Sequence, residues 1–70
     1  MNKIVAVMAG NVWKVLVNVG DRVEEGQEIA ILESMKMEIP ILAEVGGIVA
    51  EVKAAEGDFV DEGHVLVILE

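Results

Sequence analysis

Seventy residues with 13 acids against 5 bases and a formal charge of −8 make room for one small acidic domain. The chain has no cysteine and a single histidine, which excludes a disulfide staple and a structural zinc cluster. The negative balance argues against nucleic acid and anionic membrane surfaces as partners, since both attract basic faces, and it suits a monomer in solution.

Apolar residues are 54% of the chain but aromatics only 3%, so the core must be aliphatic. Val and Ile are stiff at χ1 and suit a pleated surface. In chain order, the apolar run Ile4–Ala9 is shorter than the ~7–15 residues of a secretory signal core. No run reaches the ~18 residues of a membrane span, and a cytoplasmic location is expected. Asn2–Ala6 reads as a strand, followed by a turn at Gly10-Asn11 and an alternating strand through Val15–Val19. Turns at Gly20-Asp21 and Glu25-Gly26 lead to a strand over Glu28–Glu33. A strand over Ile39–Ala43 follows, then a turn at Gly46-Gly47 and alternation in Val49-Ala50-Glu51-Val52. Turns at Gly57-Asp58 and Glu62-Gly63 precede a last strand over His64–Glu70. Short strands with regular turn signals predict an all-β sandwich or barrel with no helix.

The chain is duplicated. Laying residues 2–33 over 39–70, at an offset of 37, makes thirteen of the 32 pairs identical. They are Ile4/Ile41, Ala6/Ala43, Gly10/Gly47, Val12/Val49, Val15/Val52, Gly20/Gly57, Asp21/Asp58, Val23/Val60, Glu25/Glu62, Gly26/Gly63, Ile31/Ile68, Leu32/Leu69 and Glu33/Glu70. Valine-rich composition produces some matches by itself, but the paired Gly-Asp-x-Val-x-Glu-Gly at 20–26 and 57–63 is hard to obtain that way. One domain over 1–70 is expected, with a pseudo-two-fold axis relating the halves. Residues 34–38 then form the tip of a hairpin between Glu28–Glu33 and Ile39–Ala43, and the two chain ends meet at the opposite pole. Pro40, which lacks an N–H, belongs on an edge or at a strand start.

That tip reads Ser34-Met35-Lys36-Met37-Glu38. A lone turn lysine is nearly always a solvated charge. Two methionines around it change the odds, because exposed thioether side chains suit a surface that another protein grips. The alternative is a small satellite core, with Met35 and Met37 on one face of a strand that continues through the tip. An exposed amine has a reference pKa of ~10.4 and is a poor catalytic group at neutral pH. Lys36 is therefore read as an acceptor, acylated by a separate enzyme, which would remove its charge and leave a long arm.

Glu33-Ser34-Met35-Lys36-Met37-Glu38 at the centre of a duplicated all-β chain resembles the biotinyl/lipoyl attachment domain, over essentially the whole length. The resemblance extends to Gly-Asp-x-Val-x-x-Gly at 20–26 and is strongest to the small members that consist of this domain only. It implies a flattened β-barrel, or barrel-sandwich hybrid, of two four-stranded antiparallel sheets. It also implies Lys36 as the covalent attachment point on an exposed hairpin, Met35 and Met37 as flanking recognition residues, and Glu33 and Ser34 as motif positions. Biotin is the implied cofactor, attached by a biotin protein ligase. The carrier would then serve biotin carboxylase and carboxyltransferase components as a swinging arm, with no catalysis of its own. The family's biotin motif has Ala where Ser34 stands, and Ser34 leans towards the lipoyl pattern. Lipoate, with a lipoyl ligase or transferase, is therefore the alternative cofactor, and an unmodified interaction domain is the third reading.

Elsewhere the residues read as structural. Trp13 is expected to pack, as a lone aromatic is no stacking platform. Asp58, Asp61 and Glu62 lack calcium-loop spacing and read as a solvated turn. His64 aligns with Gln27 and reads as a surface residue. A chain this small has little room for a catalytic pocket of ~300 Å³.

Overall fold

A computed structural model describes residues 2–70, so that Met1 of the expected 1–70 domain lies outside the described residues. Eight strands follow one another: β1 (Asn2–Val5), β2 (Gly10–Val15), β3 (Arg22–Val23), β4 (Glu28–Ser34), β5 (Met37–Leu42), β6 (Gly47–Val52), β7 (Phe59–Val60) and β8 (Val65–Leu69). They form two four-stranded sheets, ordered β1-β8-β6-β3 and β5-β4-β2-β7. The strand pairs are antiparallel. No helix occurs among the described residues. The two sheets close over one aliphatic core as the expected flattened barrel-sandwich, 31 × 19 × 18 Å.

The offset of 37 governs the architecture. Replacing each strand of the first sheet by the strand four later or earlier converts β1-β8-β6-β3 into β5-β4-β2-β7. The core falls into mates at the same offset: Ile4/Ile41, Ala6/Ala43, Val12/Val49, Val17/Ala54, Val23/Val60, Ile29/Leu66, Ala30/Val67 and Leu32/Leu69. No charged or polar residue joins them among the described residues. Burying each large aliphatic side chain stabilises the fold by ~1.5–3 kcal/mol, and the six pairs of mates carried on strands do so once in each sheet. Irregularities are duplicated too: the ladder shifts between Val12 and Lys14 in β2 and between Val49 and Glu51 in β6.

The turn glycines behave as the repeat requires. Gly20 and Gly57 have φ of 94° and 96°, and Gly26 and Gly63 both have 86°, a region that L side chains rarely enter. The aspartate of each Gly-Asp closes its turn: the Asp21 carboxylate accepts from Asn18 N–H at 2.8 Å, and Asp58 from Ala55 N–H at 2.9 Å.

Three expectations are corrected by this geometry. Gly10-Asn11 and Gly46-Gly47 were expected as turns, but Gly10, Asn11 and Gly47 open strands β2 and β6. Their glycines serve close approach instead: a Cβ on Gly10 would stand 2.8 Å from the Glu33 carbonyl oxygen, and one on Gly47 would stand 2.9 Å from that of Glu70. The alternating run Val15–Val19 is not one strand, since β2 stops at Val15. The Asn18–Asp21 hydrogen bonds offer the backbone a local alternative to the ladder, leaving Val19 exposed. Trp13 does not pack into the core: it is the extra residue of the β2 irregularity and points outward, with the Lys14 ammonium 5.6 Å from its ring centre. Pro40 lies in β5, which is an edge strand, and costs no ladder bond on its open side. Asn2 pairs with Leu69, so the first and last strands lie side by side as the repeat predicts.

Candidate functional site

Lys36 stands at the tip of the β4–β5 hairpin. The ladder runs Leu32↔Ile39, Glu33↔Glu38 and Ser34↔Met37, leaving Met35 and Lys36 as a two-residue loop. The five-residue tip expected from the repeat is thus tightened to two, because Ser34 and Met37 extend the pairing. Met35 has φ of 52° and Lys36 of 67°, the positive pair that marks a type I′ turn, whose twist matches the flanking strands. Such positions favour Asn and Gly; a side-chain-bearing residue there costs ~1–2 kcal/mol. The register holds the strain in place, anchored by Leu32, which is fully buried. Strain of this kind collects at sites that something must recognise.

The turn decides what the methionines do. Met35, a central residue of the two-residue loop, projects from the end of the ladder and is 90% exposed, while Met37, the first residue of β5, is 65% exposed. The satellite core is therefore absent, and the tip presents two thioethers around an exposed amine. Lys36 takes part in no ion pair within 4 Å among the described residues; Lys53 and Glu51 form one elsewhere. Behind the turn, Glu33 and Glu38 face each other across the ladder, a like-charge pair that costs rather than contributes stability. Ser34 is half-buried beside them.

Sequence reasoning missed the surface next to the lysine. Ala9, Gly10, Asn11, Glu33, Ser34, Met35, Lys36 and Phe59 line an open groove of about 380 Å³. Gly10 makes it: with no Cβ, β2 lies directly against the Glu33 carbonyl and the Ser34 Cβ. Phe59 enters from β7, paired with Asn11, and is 65% exposed. The signal available was the repeat itself, where Phe59 aligns with Arg22 and Asn11 with Ile48. The other residues set aside read as expected: His64 is exposed, and Asp58, Asp61 and Glu62 lie at exposed turns. No group of three potential metal ligands occurs among the described residues. No helix of the described residues is long and apolar enough to cross a membrane.

A duplicated barrel-sandwich that offers one lysine on a strained hairpin defines a class of attachment domain, and known proteins place the chain within it. The family model described as "Biotin-requiring enzyme", the biotin/lipoyl model, matches residues 2–69; the chain belongs to this family. It is 69% identical over 62 residues to the biotin/lipoyl attachment protein of Bacillus subtilis (strain 168), covering 89% of this chain and 85% of that protein. It is 44% identical over 68 residues to the biotin carboxyl carrier protein of Streptococcus mutans serotype c. That match covers 97% of this chain but 52% of the carrier protein. Among solved structures, the urea carboxylase of Kluyveromyces lactis superposes with a TM-score of 0.91 at 30% identity, covering 99% of this chain and 6% of that one.

Proposed function

We propose that the chain is a cofactor carrier, biotinylated on Lys36 by a separate biotin protein ligase and acting as a swinging arm in carboxyl transfer. The observation that carries this reading is Lys36 in a left-handed turn position between two exposed methionines, on a member of the biotin/lipoyl family. The carboxyl carrier and attachment proteins named above support biotin as the group. When bound, biotin supplies a urea nitrogen that holds and releases carboxylate.

The chain's own contribution is presentation. The hairpin holds the Lys36 amine clear of the body, so a ligase can reach it without unfolding anything. The amine, once a base on the ligase removes its proton, attacks an activated acyl group; an amide forms and the activating group leaves. Met35 and Met37 give the ligase apolar contacts, while Glu33 and Ser34 set the approach from the β4 side. The rigid barrel then limits the arm's reach to one end, which raises the local concentration of the head group at successive sites. Biotin carboxylase and carboxyltransferase components are the partners this chemistry requires, in the cytoplasm, and the domain itself catalyses nothing.

The test is a streptavidin blot with intact mass of wild type and Lys36→Ala expressed with a biotin ligase. Wild type should gain one biotinyl group and the variant none, with unchanged thermal unfolding. Signal retained in the variant overturns Lys36 as the site. A lipoyl mass in place of biotinyl when both cofactors and ligases are present would favour the lipoyl carrier, towards which Ser34 leans.

A further inference from the structure

The groove beside Lys36 differs from its counterpart at the other end of the molecule in ways the fold does not demand. That counterpart is lined by Arg22, Val23, Glu24, Glu25, Gly46, Gly47 and Ile48. The backbone pairing is the same in both: Asn11↔Phe59 in one, Ile48↔Arg22 in the other. A guanidinium thus occupies the place of the Phe59 ring on an equivalent two-residue strand, so no packing rule of this fold calls for an aromatic there. The ring is nonetheless left 65% in water, where apolar surface is unfavourable. Beside it, Asn11 puts an amide, both donor and acceptor, where the counterpart has the aliphatic Ile48. Met35 and Lys36 complete the same wall, so any group on the Lys36 amine is tethered at the groove's edge.

From this juxtaposition we infer that the groove is the resting seat of the head group carried by Lys36. The inference rests on the biotinylation proposed above. The bicyclic ring lies against Phe59 and the Met35 thioether, and its urea, with two N–H donors and one carbonyl acceptor, meets the Asn11 amide. A space of about 380 Å³ accommodates such a ring system, and its openness lets the head leave for a partner's site. Docking shields the reactive urea between transfers and keeps the arm compact.

Isotope-labelled chain, biotinylated by purified ligase and checked by intact mass, provides the test. Isotope-filtered spectra should show nuclear Overhauser contacts between biotinyl ring protons and the Phe59 ring. The Asn11 backbone and side-chain amide signals should shift between apo and biotinylated forms. Phe59→Arg, which copies the residue at the equivalent position, should biotinylate fully but lose the Asn11 shifts. A fully biotinylated wild type whose shifts are confined to residues 34–37, with no contact to Phe59, overturns this inference and leaves the carrier reading standing. A chain that gains no biotinyl mass sinks the carrier reading and this inference with it.

Discussion

The two ends of this molecule share a backbone and differ in their decoration. At one end β4 and β5 are joined by Met35-Lys36; at the other, β8 and β1 pair in the same way, Leu69 beside Asn2. Gly10 packs on the Glu33 carbonyl as Gly47 packs on that of Glu70. Yet Asn11 stands where the other end has Ile48, Phe59 stands where it has Arg22, and residues 34–38 lie outside the repeat. What is duplicated belongs to the fold, because both sheets need it. What is not duplicated is free of that demand and is where a function can be read. Buried residues meet this rule as mates, and among the exposed exceptions Asn11 and Phe59 lie beside Lys36.

The strongest way to break the comparison is through the core. Leu32 and Leu69 are mates and both fully buried. Leu32→Ala and Leu69→Ala should each cost about 2–5 kcal/mol through lost burial and a residual cavity. For a chain of this length total stability is about 4–10 kcal/mol, so either variant is near its unfolding threshold. Urea denaturation should place the two losses within about 1.5 kcal/mol of each other. A much smaller loss at Leu69 would mean that the halves are not energetically equivalent, whatever their backbones share.

A smaller effect, of opposite sign, sits on the hairpin. Met35 holds a φ of 52° that glycine adopts freely. Met35→Gly should relieve ~1–2 kcal/mol of strain and lose ~0.5–1 kcal/mol to the greater freedom of the unfolded chain, a net gain near ~0.5–1 kcal/mol. The same change removes the most exposed thioether of the tip, so the rate of biotin transfer by ligase should fall several-fold. Stability that rises while transfer stays unchanged would assign Met35 to neither strain-bearing recognition nor ligase contact.

Much of this was legible in the residues, and the misses share a cause. Gly-Asp-x-Val-x-Glu-Gly twice over announces the halves because its glycines sit at positive φ and its aspartates close turns, both local requirements. The hairpin and Lys36 follow from the repeat by subtraction. Gly10-Asn11 was misread because a glycine needed for close approach looks like one needed for a turn until its neighbour, the Glu33 carbonyl, is known. Trp13 was misread because the ladder irregularity that turns it outward is a property of β2 against β4. The groove was invisible for the same reason: Phe59 is 23 residues from Lys36 in sequence and meets it only through β2. Local chemistry is written in the chain; adjacency across strands had to be seen.

The finest test moves the hairpin to the other end. Joining Glu70 to Asn2 with Ser-Met-Lys-Met-Glu, and opening the chain between Met35 and Lys36 with both flanking residues changed to Ser, builds a permutant in which β8 and β1 carry the loop. Asn2 and Leu69 already pair, so the new turn spans the gap that residues 34–38 span in the native chain. Stability should change by less than about 1 kcal/mol, since one short closure replaces another. If ligase reads hairpin geometry and the Met-Lys-Met face, the grafted lysine is biotinylated, as intact mass will show. The head group, however, now overhangs Arg22 and Ile48 in place of Phe59 and Asn11, and should make no contact with the body. Adding Arg22→Phe and Ile48→Asn should restore that contact. Biotinylation without docking in the first permutant, and docking in the second, would separate what the turn supplies from what the groove supplies. A permutant that folds but is never modified would show instead that ligase reads residues beyond the hairpin, with the groove beside Lys36 the first place to look.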